Sequence, residues 1–182
     1  MIDNKQALHS EEPAATHSDT GKNRVSAERY QPLMSTYLSR GRRQEVWCIN
    51  WIEWDGEVLR ASARLEGWVT SKTDNNRFHL SIYAAREIDA QLSIIGMHLK
   101  LGLPEKSAEV WLLKCVEDCS AAITTPEDVR FEMSFRFRRS QSGKLLSERS
   151  GRIYDQVGGE IRLSVLALMP WNAAWGEMPD EK

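Results

Sequence analysis

The sequence predicts a single α+β domain: an antiparallel sheet wrapped around one long central helix. Three observations predict it. The first is an apolar segment, Leu80 to Leu101, whose hydrophobic positions cover more than half a helical circumference. The second is a pair of strand-like segments before it, joined by Asp55-Gly56. The third is a run of four strand-like segments after it, separated by turn-forming dipeptides.

The 182 residues suit one domain. Residues 1–25 carry almost no large apolar side chain and read as a disordered tail. The domain is expected over residues 26–171, with residues 172–182 as a C-terminal tail. Ser26 to Ser39 reads as a short helix with Ser26 as its N-cap, interrupted at Pro32 and closed by Gly41. Gln44 to Trp54 and Val58 to Val69 are the first two strands. Lys72 to Arg77 is a polar loop. Gly102 and Pro104 terminate the long helix.

The remaining strands are expected at Ala108–Val116, Val129–Arg138, Leu145–Asp155 and Glu160–Leu168. In the second of these Phe131, Met133, Phe135 and Phe137 face one way, and Arg130, Glu132, Ser134 and Arg136 the other. A helix that is apolar on most sides requires cover on most sides, which a meander of antiparallel strands provides.

A net charge of −2 gives no general attraction to nucleic acid or to an anionic membrane. No apolar stretch is long enough to cross a bilayer, and no secretory signal is visible. Three cysteines, Cys48, Cys115 and Cys119, fit reduced thiols and a cytoplasmic protein. The Cys115-x-x-x-Cys119 spacing is not that of a zinc site, so no metal and no cofactor is expected.

The chemistry concentrates at the start of the long helix. His79 stands just before it, and Glu87, Asp89 and Gln91 lie on it. A carboxylate on so apolar a helix is costly unless paired or placed in a cleft, and such groups gather at functional sites. Glu87 is the preferred general base, since Gln91, four residues on, shares its face. Asp89 points elsewhere and is the fallback. Histidine is the side chain suited to proton transfer near neutral pH, so His79 is a candidate acid or base, against a capping or loop role. Tyr37 is a candidate hydrogen-bond donor to a substrate carbonyl, against a packed aromatic. Tyr83 is a weaker candidate. His98, near the helix C-terminus, suits the helix dipole, and it, His9 and His17 are given no role. Arg136 and Arg138, with Arg139, Arg42 and Arg43, are candidate contacts for phosphates or an acidic partner, against a solvated strand face. The tryptophans of the strands, Trp47, Trp51, Trp54, Trp68 and Trp111, are expected in core or dimer contacts.

The order of elements resembles the hotdog fold. Glu87-Ile88-Asp89-Ala90-Gln91 is similar to the Glu-x-x-Ala-Gln of hotdog β-hydroxyacyl-ACP dehydratases, although their upstream glycine- and proline-rich loop is missing. Over residues 30–171 the chain resembles the long-chain fatty acyl-CoA thioesterase family known as FcoT. The resemblance rests on Tyr37-Leu38-Ser39-Arg40-Gly41-Arg42-Arg43, on Arg77-Phe78-His79 before the helix, and on the closing Val165-Leu166-Ala167-Leu168-Met169-Pro170. The family's tyrosine falls on Tyr37. Its junction asparagine falls on His79, its helical asparagine on Glu87 after a one-residue deletion, and its helical tyrosine on Gln91.

The resemblance implies a homodimer or higher even oligomer with sites at the subunit interface, His79 and Glu87 of one site coming from different subunits. It implies hydrolysis of acyl thioesters of coenzyme A or acyl carrier protein, with Glu87 activating water. Two alternatives stand beside it. One is lyase chemistry on an acyl thioester, either β-dehydration or conjugate addition to an enoyl thioester. The other is a non-catalytic domain that binds an acyl ligand or a partner, which would show a helix carboxylate locked in a salt bridge and no open pocket.

Overall fold

The computed structural model describes residues 23–34, 45–68, 77–140 and 142–175. Tyr37, Arg42, Arg43 and the loop after Val69 lie outside them. Among the described residues seven strands form one antiparallel sheet. In chain order the elements are β1 (Arg24–Val25), α1 (Ala27–Tyr30), a 3-10 turn (Gln31–Leu33), β2 (Val46–Trp54), β3 (Val58–Gly67), α2 (Ile82–Lys100), β4 (Trp111–Ala121), β5 (Val129–Arg139), β6 (Leu145–Tyr154), β7 (Glu160–Met169) and a final 3-10 turn (Ala173–Trp175). Across the sheet the order is β1-β2-β3-β5-β6-β7-β4. The chain thus leaves the sheet after β3, runs through α2, and re-enters at the far edge as β4.

The β2–β3 hairpin turns at Asp55, whose carboxylate accepts from the amides of Glu57 (3.0 Å) and Val58 (2.8 Å). Gly56 takes φ 103° there, a conformation that favours glycine. Ser81 caps α2, its hydroxyl accepting from the Ala84 amide at 3.1 Å. The amide of Leu80 instead donates to Ile123 O (2.9 Å). That bond holds Leu80 extended, so the helix starts two residues later than the sequence suggests. At its other end Leu103 N donates to His98 O and Gly102 N to Leu99 O, with Gly102 at φ 68°. This pair of bonds is the Schellman arrangement, and Pro104 follows.

Inward-facing side chains of the sheet pack on α2. Phe131, Met133, Phe135 and Phe137 of β5 are all buried, as the alternation requires. They meet Ile88, Leu92, Ile95 and Leu99 of the helix in one core. From Gln91 to Leu99 every residue of α2 is buried. The N-terminal half is open on one side, where Tyr83 and Arg86 are exposed.

Several boundaries differ from expectation. Arg24 and Val25 belong by composition to the polar tail, yet they pair with Glu53 and Ile52, and Val25 is buried. A lone valine in a polar stretch gives no periodic signal, but it covers the free side of β2. Of the expected helix 26–39, α1 and the 3-10 turn account for Ala27–Leu33, and residues beyond 34 lie outside the described region. β4 starts at Trp111 and continues to Ala121, because its ladder with β7 runs from Trp111↔Leu168 to Ala121↔Glu160. Trp175, expected in the C-terminal tail, packs on the core and meets Trp171 edge to face at 5.4 Å.

Candidate functional site

At 3.6 residues per turn, successive residues of a helix are about 100° apart. Tyr83, Glu87 and Gln91, at i, i+4 and i+8, therefore share one stripe of α2. Tyr83 is exposed, Glu87 half-buried and Gln91 fully buried. The stripe leads from solvent into the interior along the open half of the helix.

Asp89 lies about 160° around the helix from Glu87, and the sheet has already engaged it. Arg149 of β6 donates from both Nη atoms to its two carboxylate oxygens, Nη2 to Oδ2 at 2.6 Å. The Arg149 side chain is 2% exposed and that of Asp89 10%. A buried, bidentate guanidinium–carboxylate pair fixes both groups in geometry. The fallback carboxylate is thus held in place, and the preferred one lies on the side of the helix away from it.

A second tie joins α2 to the sheet edge. Arg86 Nε donates to Glu117 Oε1 of β4, and the Cys115 thiol donates to the same oxygen at 3.4 Å. Burial first, and then the Glu117 carboxylate, push the Cys115 thiol up to about 11. It is therefore a protonated thiol near neutral pH and not a nucleophile. Cys115 and Cys119 lie on an edge strand as free cysteines. Among the described residues no group of three or more His, Cys, Asp or Glu side chains could hold a metal ion.

His79 sits exposed between the buried Phe78 and Leu80, just ahead of the Ser81 cap. The expectation for His98 needs correction. It is buried on α2, with Nδ1 2.8 Å from Ile94 O and Nε2 accepting from Ser107 N at 3.1 Å. One ring nitrogen donates and the other accepts, as in a neutral imidazole. Burial lowers its pKa, so it carries no charge to the helix dipole at neutral pH.

Arg136 and Arg138 occupy outward positions of β5, on the face of the sheet away from α2. Arg138 is paired with Glu148 at 2.7 Å. Arg136 borders an open cleft of about 580 Å³ on that face, together with Lys114, Ser134, Ser150 and Ser164. The structure therefore separates the two arginines from Glu87 by the thickness of the sheet. Of the tryptophans, Trp54 packs edge to face on Phe135 and Trp68 on Phe78. Trp111 is 61% exposed on β4.

Arg149 and Glu117 are not among the residues that the sequence singles out. For Arg149 a signal existed. In β6 the inward positions are Leu145, Ser147, Arg149, Gly151 and Ile153, and an arginine in that series requires a buried acidic partner.

No family model matches the chain, and no curated protein matches it. The FcoT resemblance thus rests on the residues quoted for it alone. Among solved structures, the chain is similar to an acyl-CoA thioesterase II, TesB2, from Mycobacterium marinum. The two share 13% identity with a TM-score of 0.47, over 95% of this chain and 60% of that one.

Proposed function

We propose that the chain is a hotdog-type hydrolase of acyl thioesters, taking acyl-CoA or acyl-ACP, with Glu87 as general base. One observation carries the reading: the half-buried Glu87 stands on the solvent-to-interior stripe of the long helix, while Asp89 is held by Arg149 on another side. The order of strands and helix agrees with the hotdog resemblance.

Glu87 takes a proton from a water molecule, whose oxygen attacks the thioester carbonyl. The Gln91 amide, one turn further in, orients the water or the carbonyl. The oxyanion forms toward the N-terminal end of α2, with Tyr37 as a further donor. Collapse of the tetrahedral intermediate breaks the C–S bond. The thiolate leaves with the proton returned by Glu87 or by His79. Arg136 and Arg138 face away from α2 and take no part at the reacting atoms. The active unit in this reading is a homodimer or higher even assembly. The non-catalytic alternative has one observation in its favour, since it expects a helix carboxylate locked in a salt bridge, as Asp89 is.

The test is release of free thiol from a series of acyl-CoA and acyl-ACP substrates. Glu87→Gln is expected to lower turnover by about 10²-fold or more, and His79→Ala by less, with melting curves unchanged. If no thiol appears but an enoyl thioester is hydrated or takes up an amine in a Glu87-dependent way, the chemistry is that of a lyase. If no tested thioester turns over, the non-catalytic reading replaces both.

A further inference from the structure

We infer that the open cleft on the outer face of the sheet is a binding site for a phosphate monoester, held between Arg136 of β5 and Lys114 of β4. The cleft lies across the sheet from Glu87, so the inference does not depend on the proposed reaction.

The register of the strands builds the cleft. Arg136 stands opposite Glu148, Glu148 opposite Leu166, and Leu166 opposite Lys114. These four form one outward row across β5, β6, β7 and β4. The next outward row, two residues along each strand, is Ser134, Ser150, Ser164 and Val116. Three short hydroxyl side chains in line, beside longer ones, leave a depression in the face. Its volume of about 580 Å³ is that of a small-molecule site, roughly 300–1,000 Å³.

Charge sets the cleft apart from its surroundings. Around it, outward charges are matched. Arg130 pairs with Asp128 (2.9 Å), Arg152 with Glu132 (3.6 Å) and Arg162 with Glu160 (2.6 Å). Glu148, the acid that lines the cleft, is held by Arg138 at 2.7 Å. Among the described residues the side chains of Arg136 and Lys114 make no ion pair or hydrogen bond, and the hydroxyls of Ser134, Ser150 and Ser164 make no hydrogen bond. Two cations and three hydroxyls thus face one cleft with their donors unused.

That set selects the ligand. Two uncompensated cations match a phosphate monoester, whose charge is about −1.5 to −2 near pH 7. A carboxylate or a phosphodiester carries only one negative charge. Three strand spacings, about 14 Å, separate β5 from β4. Extended toward one another, the arginine and lysine side chains close most of that interval, and its middle lies over β6 and β7. A phosphate there falls beside Ser150 and Ser164, whose hydroxyls donate to it. Arg136 supplies paired bonds to its oxygens, and Lys114 a point charge. The row continues to Ser134, where a hydroxyl that both donates and accepts suits the alcohol part of the ester.

The test is titration of the isotope-labelled full chain with glycerol phosphate at low ionic strength, followed by amide chemical shifts. Saturable shifts are expected at Lys114, Arg136, Ser150 and Ser164. Arg136→Gln and Lys114→Gln should each weaken binding at least tenfold, and Glu148→Gln should tighten it, with melting curves showing that each variant folds. Arg60→Gln, on the same face but outside the cleft, should change binding less than twofold. Inorganic phosphate is the second probe. Equal affinity for the two would support the site and assign it to free phosphate, and tighter binding of glycerol phosphate would support it and assign it to a phosphorylated metabolite. Acetate should bind at least tenfold more weakly than either. Absence of saturable shifts at millimolar glycerol phosphate and phosphate overturns the proposal. So does binding that both Arg136→Gln and Lys114→Gln leave intact, or acetate binding as tightly as phosphate.

Discussion

Replacing the buried pair Asp89–Arg149, singly and together, separates a structural strut from a catalytic acid. Arg149→Met keeps most of the side-chain volume and removes the charge, leaving the Asp89 carboxylate without its guanidinium in a site that is 10% exposed. Asp89→Leu leaves the guanidinium, 2% exposed, without its carboxylate. Breaking a buried pair from one side costs about 3–5 kcal/mol, because the surviving charge stays desolvated. Set against a whole-domain stability of about 5–15 kcal/mol, either single change brings the protein close to its folding limit. The double change removes both charges and both desolvation penalties, so its cost should fall to about 2 kcal/mol or less. Urea unfolding of the four proteins gives the coupling energy directly. If the double variant loses as much as the two singles combined, the pair does not form. If it folds like the wild type but no longer turns over a thioester that the wild type cleaves, then Asp89 or Arg149 shares in the chemistry and Glu87 does not act alone.

Three further outcomes can be checked. The pKa of His98 is lowered in the folded chain by burial, so between that value and its ordinary one near 6.5 the unfolded chain binds the extra proton. Stability should therefore fall as pH is lowered below about 6.5 and level off below the folded value; urea midpoints should show this slope, and His98→Gln should flatten it. Gly96→Ala should gain about 1 kcal/mol in helix propensity but lose about 1–3 kcal/mol to overpacking, because its new Cβ would fall 2.4 Å from Phe135 Cζ; a melting point that rises would show that the Phe135 ring gives way. Removing residues 1–22 should leave the melting point unchanged, whereas removing 1–25 should lower it, since Val25 is buried against β2.

What the sequence reveals here is whatever repeats within a few residues. The alternation of Phe131 to Phe137 identifies an inward face of β5 without any knowledge of its neighbours, and the structure buries all four residues on it. The Asp55-Gly56 turn and the Gly102-Pro104 stop are equally local, and both are found where their chemistry puts them. Features set by a distant partner were hidden. β4 reads as ending near Val116 because Glu117 and Asp118 follow. It continues because β7 offers Leu163 and Arg162 as ladder partners, some forty-five residues further on. His98 reads as a charged cap until Ser107, beyond the turn, supplies the amide that its ring accepts.

The same distinction runs through the candidate site. Helical spacing alone places Glu87 and Gln91 on one stripe and Asp89 on another, so the division of the two carboxylates was legible. The assignment of each stripe was not, because it depends on an arginine sixty residues later. An arginine on an inward strand position and an aspartate on an apolar helix are each costly alone. Their joint presence in one chain is explained if they meet, and their meeting fixes the rotation of α2 about its axis. With Asp89 turned toward β6, the rotation of a rigid helix leaves Glu87 only the side where α2 is open to solvent. The buried pair thus determines which carboxylate a ligand entering from that side would encounter, although neither of its members need touch that ligand.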